Sequence, residues 1–473
     1  VYLKRHDRCP KHHVTHTGST VYLLDFYTAT GDIDAGVQLI DTLLERIVAD
    51  GDAYVFYPGR LDPMNMSNSV IDTGAAVDAI ARFVTLHTDA FSEADRARII
   101  ERLRTVVDTY LNRAALEKPI TNQRLWGLTG VASFARLVGE ENRFADMAHA
   151  SIAHAFEDML PDGFFRYYPD APKYDAFAGY DGMTTFYQSR HIAFIVYALD
   201  TLGLSRAPYQ ARLDQATRAL LSMYRSEGYK DMRMECKRWY WQSPYEVASH
   251  GFDAFALATS DVPGTQTALT NVLHLIRTHA RSGYLRSDLG PDINFQCPIF
   301  WTAHLAWMLR IEEAQQRFDG ATQIVPFTYE FKGEQVYTYT APGKRVLVNG
   351  YDGLRNPTVG IIEHSSIDSR GRWRATLPAL PPALFESVRE VANHTWYALR
   401  GFHLHEAVVR IACFMRDLFV MLLPRYTARY GKIERITYDE RGQQVSITVA
   451  LRPATKYGDL LPHTELFTLN PYA

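Results

Sequence analysis

The stretch from Asp181 to Asp200 places Tyr187, Arg190, His191 and Phe194 at offsets of three, four and seven residues, the spacing of one helical face. A phenol, a guanidinium and an imidazole on one stripe can move a proton, and the chemistry they suit is proton removal from an acidic sugar. The proton beside a carboxylate is too weakly acidic to remove unless the carboxylate is neutralised and the enolate-like intermediate stabilised. Asn122 can donate to a carboxylate, and Arg124, Arg190 or a protonated His can add positive charge. A phenol with a reference pKa near 10 lies about three units too high to act as a base at neutral pH. That is about 4 kcal/mol, so a cation such as Arg190 or His191 must favour the phenolate. Once protonated, the same Tyr187 can deliver the proton to a leaving oxygen.

Each of these residues also has a plainer reading. Tyr187 fits a packed aromatic on a helix face, and His191 and His250 fit buried, hydrogen-bonded structural histidines. Asn122 stands just before a helical run, where it would serve as an N-cap. Arg190 fits a surface or salt-bridge group.

The elements that must hold these side chains are mostly helical up to about residue 320. Apolar residues recur at helical spacing in 35–49, 69–86, 123–137, 145–160, 184–202, 209–224, 243–258, 265–280 and 300–314, and Ser92 with Asp95 reads as an N-cap opening a helix through Val106 and Leu111. Helices of this length joined by short connections must bury their apolar stripes on one another, and a ring of helical hairpins does so economically. The sequence therefore predicts an α/α toroid over 1–320, with an irregular bundle or solenoid as the alternative. The polar, aromatic loops at 57–68, 162–181 and 237–244 recur between helices, as the rim of a cleft would.

From about Gln323 the period changes to two, with strands expected near 325–331, 335–340, 344–349, 407–415, 418–423, 432–438, 444–451 and 466–469. Residues 321–473 thus read as an antiparallel β-sandwich, with a Pro-rich linker or loop at 377–383 and a hairpin turn at Gly350–Gly353.

A helical toroid followed by a β-sandwich resembles the polysaccharide lyases of the heparinase II/III, chondroitin AC lyase and alginate lyase type. Asp181-Gly182 followed by Tyr187 and His191 is similar to the segment that opens a helix at the cleft of such lyases, where a Tyr transfers the proton. Here the gap from Tyr to His is one residue longer. Thr121-Asn122-Gln123-Arg124-Leu125-Trp126 is similar to their Asn-containing helix start, where the Asn contacts the substrate carboxylate, and His250 stands where a further cleft histidine is expected. The resemblance implies a lyase that cleaves an acidic polysaccharide beside a uronic acid by β-elimination. Tyr187 would be base and acid, Asn122, Arg190 and His191 would handle the carboxylate, and His250 would line the opposite wall. Arg124, Trp126, Tyr180, Trp239 and Tyr240 would bind the sugar chain. No cofactor or metal is needed for that mechanism.

Other readings stay open. Asp72 and Asp78 with Asp181 could form the carboxylate pair of an inverting glycosidase. A uronate C5-epimerase begins with the same proton removal, and a carbohydrate-binding protein could keep the cleft without the base. His6, His12, His13 and His16 resemble a metal cluster but have no matching carboxylate. Cys9, Cys236, Cys297 and Cys413 form no CxxC pair and fix no compartment. A formal charge of -3 argues against a nucleic-acid partner, and no run of apolar residues is long enough for a membrane span. The absence of an initiator Met and of a signal-like segment fits a removed leader or a trimmed chain. The number of subunits is not legible.

Overall fold

The structure is a computed structural model that describes residues 21–56, 69–170, 181–236, 243–281, 284–285, 304–351, 362–367, 373–375, 430–439, 445–452 and 463–469. Among these residues helix dominates, followed by antiparallel sheet. The helices are α1 (Leu23–Thr30), α2 (Ile33–Leu44), α3 (Ser69–Leu86), α4 (Glu93–Val106), α5 (Asn112–Glu117), α6 (Thr121–Val138), α7 (Glu141–Glu157), α8 (Thr185–Thr201), α9 (Gln210–Ser222), α10 (Ser243–Ala258), α11 (Thr265–His279) and α12 (Glu312–Phe318).

Local chemistry sets several of their ends. Ser92 Oγ accepts from the Asp95 amide at 3.1 Å and starts α4 as the sequence predicts. The helix expected over 35–49 instead stops at Leu44, and Val48–Asp50 (β1) pairs with Ala53–Val55 (β2) across a turn at Gly51, whose φ is 68°. A two-residue Gly51-Asp52 turn, closed by the Asp50–Ala53 pair and with Val48 opposite Val55, favours that hairpin over another helical turn. Asn122 is not the N-cap of α6: the helix begins at Thr121, Ile120 holds the cap position and no side chain caps it.

Four helices, α3, α6, α8 and α10, pack side by side in that order. Their contacts run in the same direction along each pair. Asp78 follows Gly74 on α3 as Ser133 follows Trp126 on α6, with Asp78 accepting from Ser133 at 2.7 Å. On α6 and α8, the Trp126 and Phe194 rings lie 5.1 Å apart, and Ser133 meets the Tyr197 hydroxyl at 3.0 Å. On α8 and α10, Phe194 lies 5.5 Å from Phe252 and Tyr197 lies 6.3 Å from Phe255. The four helices are therefore parallel, and α7, α9 and α11 return the chain while packing on α6, α8 and α10.

Inner and returning helices differ in what they bury. In α7 the buried set is a stripe, Phe144, Ala148, Ser151, Ile152 and Ala155, whereas α6 is buried all round from Thr121 to Ala135, polar first turn included. Glycine makes the approach possible: a Cβ on Gly130 would lie 2.7 Å from the Gly74 carbonyl oxygen, and one on Gly74 would lie 2.5 Å from that of Trp126.

Aromatic rings fill the space between the inner helices. Trp307 lies 5.9 Å from Tyr22, 5.3 Å from Phe194 and 4.9 Å from Phe252. Trp307 comes from the segment expected as a helix over 300–314. The described part of that segment holds a 3₁₀ turn (Ala306–Arg310), an extended Ile311 and then α12. The break lets Arg310 reach back to Asp25 on α1 at 2.9 Å and to Asp78 on α3 at 2.8 Å, in a site where all three side chains are buried.

The sheet region is antiparallel throughout. Strands β5 (Tyr329–Lys332), β6 (Val336–Ala341), β7 (Lys344–Asn349), β8 (Ile362–Ile367) and β9 (Trp373–Ala375) form a five-stranded meander, and β10 (Tyr430–Tyr438), β11 (Val445–Arg452) and β12 (His463–Leu469) form a three-stranded one. A short ribbon joins β3 (Ala280–Arg281) to β4 (Tyr284–Leu285). Alternation along β6 and β7 sends Val336, Thr340, Arg345 and Leu347 toward the helices. Arg345 donates to the carbonyls of Ser222 at 2.9 Å and Tyr224 at 3.2 Å, while Tyr337 on the other face meets Tyr438 of β10 at 6.0 Å. Asp162 anchors the β5–β6 turn, its carboxylate accepting from the amides of Glu334, Gln335 and Val336 at 2.7, 3.0 and 3.0 Å. The strands expected at 407–415 and 418–423, and the 377–383 segment, lie outside the described residues.

Candidate functional site

The first turn of α8 is fixed from three directions. Thr184 Oγ1 accepts from the Tyr187 amide at 3.2 Å and donates to Glu235 Oε2 at 2.8 Å, and the same Glu235 oxygen accepts from the Phe186 amide at 2.9 Å. A buried carboxylate thus satisfies a helix-start amide that α8 itself cannot. Gln188 ties α8 to the 163–165 loop, accepting from the Phe165 amide at 2.9 Å and donating to the carbonyls of Gly163 and Ala216, both at 3.0 Å. Residues 165–167 then run beside 182–184, with the Tyr167 amide on the Gly182 carbonyl and the Thr184 amide on that of Phe165, both at 3.0 Å. This pairing lays the Tyr167 ring on Tyr187 at 5.4 Å and the Phe165 ring on His191 at 4.6 Å.

The stripe read from the sequence is present. Arg190 donates to the Phe186 carbonyl at 2.9 Å, and its guanidinium carbon lies 3.8 Å from the Phe186 ring centre, 4.6 Å from Phe252 and 5.3 Å from Tyr187. Arg190 is therefore an interior residue, not a surface group. His191 lies one turn beyond Tyr187, ring centres 6.4 Å apart, and neither of its nitrogens has a hydrogen-bond partner among the described residues. Burial, with the charges of Arg124 and Arg190 adding to it, holds its imidazole well below the usual histidine range. His191 is therefore neutral, and the sequence expectation that it adds positive charge does not hold. The positive charge beside the phenol comes from Arg190.

On α6, Asn122 is buried in the first turn, and neither atom of its amide group has a partner among the described residues. Arg124 and Trp126 are committed to the fold. Arg124 donates to Asp158 at 2.5 Å and to the Lys118 carbonyl at 2.9 Å, while Trp126 donates to the Tyr22 hydroxyl at 2.7 Å. His250 is buried on α10. All five side chains are buried, Tyr187 keeping 7% of its surface and Asn122, Arg190, His191 and His250 keeping 0%. Tyr180, Trp239 and Tyr240 lie outside the described residues, as do His6, His12, His13 and His16.

The glycosidase reading loses Asp78, whose carboxylate is held by Arg310 and Ser133. Among the described residues no group of three His, Cys, Asp or Glu side chains could hold a metal ion, and no helix is long and apolar enough to cross a membrane. Sequence reasoning missed Glu235, Gln188 and His304. His304 stands in a segment read only as helix, yet its Nδ1 lies 3.3 Å from Arg190, 114 residues away in the chain. The aromatic cluster at 164–168 was the one available signal for Tyr167. Comparison with protein-family models, with curated proteins and with solved structures finds no match.

Proposed function

We propose that this protein is a polysaccharide lyase that cleaves an acidic, uronic-acid-containing chain by β-elimination, with Tyr187 as the proton-transfer residue. The observation that carries the reading is the Arg190 guanidinium carbon 5.3 Å from the ring centre of Tyr187. A cation about 5 Å from a phenolate charge stabilises it by about 3 kcal/mol for an effective dielectric near 20, most of the roughly 4 kcal/mol that a phenol needs to act at neutral pH. The phenolate takes the proton from the carbon bearing the carboxylate. The electron pair forms the double bond as the carbon–oxygen link breaks, and the phenol returns its proton to the leaving oxygen.

The unpartnered amide of Asn122 supports a role in holding the carboxylate, and the neutral His191 supports a hydrogen-bond acceptor behind the phenol. Parallel inner helices with returning partners are the arrangement of an incomplete α/α toroid, and two antiparallel meanders touching through Tyr337 and Tyr438 are compatible with a β-sandwich beside it. Both architectures belong to this proposal.

The test is a panel of uronate polymers followed by ultraviolet absorbance, since β-elimination leaves a double bond conjugated to the carboxylate. Absorbance should grow with a matching polymer, and Tyr187→Phe should abolish it, by about 10²-fold or more, while the fold stays intact. New reducing ends without absorbance would instead indicate a hydrolase. Solvent deuterium entering the sugar without cleavage would indicate an epimerase, and binding without any product would indicate a carbohydrate-binding protein.

A further inference from the structure

His304 reaches the proton-transfer cluster from 114 residues away in the chain. Its Nδ1 lies 3.3 Å from Arg190 Nη2, and because a guanidinium only donates, Nδ1 must present its lone pair and the ring proton must sit on Nε2. Three rings fix the imidazole plane: Phe252 of α10 at 5.5 Å, Trp126 of α6 at 5.7 Å and Tyr22 before α1 at 6.0 Å. The backbone is fixed as well, since a Cβ on Gly251 would lie 2.3 Å from the His304 carbonyl oxygen. The second arm of the same guanidinium is held by the Phe186 carbonyl at 2.9 Å. Two acceptors at its two ends, with Phe186 and Phe252 close to the guanidinium carbon, determine where the positive charge sits relative to the Tyr187 ring.

We infer that His304 is a positioning residue: it holds the Arg190 guanidinium against Tyr187, and so sets how readily that phenol gives up its proton. The inference rests on the reading of Tyr187 as the proton-transfer residue. Burial, with Arg190 adding to it, keeps the His304 imidazole well below the usual histidine range, which keeps the acceptor lone pair available. Asn at position 304 places a carbonyl oxygen near the place of Nδ1, whereas Ala removes that acceptor from Arg190 Nη2.

The experiment needs no substrate. The protein is labelled with tyrosine carrying ¹³C at Cζ, the Tyr187 resonance is identified by its loss in Tyr187→Phe, and its titration midpoint is followed by NMR in the wild type, His304→Ala and His304→Asn. The wild-type midpoint should lie below that of free tyrosine. His304→Ala should raise it by about 0.5–1 unit, the change expected if the guanidinium drifts from about 5 to about 8 Å, and His304→Asn should restore it. A depressed wild-type midpoint that His304→Ala leaves unmoved overturns the positioning role while leaving the proposed function standing. A wild-type midpoint at or above that of free tyrosine overturns the function assigned to Tyr187 itself. Thermal unfolding identifies a misfolded Ala variant, in which case a midpoint for His304→Asn shifted as far from wild type as that of His304→Gln overturns the inference.

Discussion

Replacing Arg310 with Met tests the fold's central assumption, that the segment at 306–310 is tied to α1 and α3 by charge and not merely by packing. Arg310 donates to Asp25 at 2.9 Å and to Asp78 at 2.8 Å in a buried site. Removing it strands the buried Asp78 carboxylate and leaves Asp25 with Arg82, 3.6 Å away, and breaking a buried pair typically costs about 3–5 kcal/mol. Each carboxylate can escape by taking a proton. The escape costs about 1.36 kcal/mol per pH unit above the unfolded aspartate value near 3.9, which is about 4 kcal/mol at pH 7 and about 1.5 kcal/mol at pH 5.

In the native protein Asp78 shares the Arg310 guanidinium with Asp25, which also meets Arg82 at 3.6 Å. Burial pushes the Asp78 carboxyl up, opposed by Arg310 and by the Ser133 hydrogen bond, with Asp25 adding to the rise. A carboxyl whose folded pKa is raised contributes stability that is complete below its unfolded pKa and is lost as pH climbs through the folded one. Without Arg310 the folded value climbs further, so the stability gap between wild type and Arg310→Met should be widest near pH 7. It should close by about 1.4 kcal/mol per unit as pH falls toward 4 if one carboxylate is protonated. Urea unfolding at several pH values measures that gap, and adding Asp78→Asn to Arg310→Met should recover part of it at pH 7. A gap that is constant from pH 5 to 8, with no recovery by Asp78→Asn, would refute the charge argument. The loss would then lie in the packing of the guanidinium, whose central carbon sits 4.3 Å from the Trp307 ring centre.

Three further outcomes are expected. Arg190→Met should lower turnover on a matching polymer by about 10²-fold, from the roughly 3 kcal/mol of phenolate stabilisation lost, and kinetics that change only KM would contradict that role. Gly130→Ala should destabilise by about 1–3 kcal/mol in urea, because its new methyl would stand 2.7 Å from the Gly74 carbonyl oxygen and force α3 and α6 apart; full stability would mean that the helices can slide. Asp162→Asn should weaken the anchor of the β5–β6 turn by about 2–3 kcal/mol, seen as faster amide exchange at Glu334, Gln335 and Val336, whose hydrogen bonds to the carboxylate would weaken.

The sequence made individual elements legible where one local device decides them. Ser92 with Asp95 marked the start of α4, and strict alternation marked β6 and β7. What it hid has a common physical cause. The first turn of α6, Thr121-Asn122-Gln123-Arg124, is polar and reads as a solvated helix start, yet it is interior. Nothing local distinguishes a polar turn that faces water from one that faces other polar groups. Likewise Glu235 and His304 act on α8 from 51 and 114 residues away, and no period or spacing marks a partner at that distance. The stripe of Tyr187, Arg190 and His191 was legible because it lies within one helix, but the charge state of His191 was not, since burial among other helices sets it.

Several buried polar groups bind the framework together. Lys230 meets Asp253 at 2.9 Å, Arg124 meets Asp158, Gln188 bonds through both ends of its amide, and Asp162 accepts three amides. These groups hold helix to helix or helix to sheet. The side chains of Asn122 and His191 have no hydrogen-bond partner among the described residues, and each unsatisfied group costs about 1–3 kcal/mol that an apolar side chain of similar size would avoid. His191 lies one turn beyond the helix start that Thr184, Glu235 and Gln188 fix, next to a phenol with a cation on its ring. A rigid frame around unspent polar groups is what a preorganised site requires, because donors and acceptors already in place need not reorganise when charge develops.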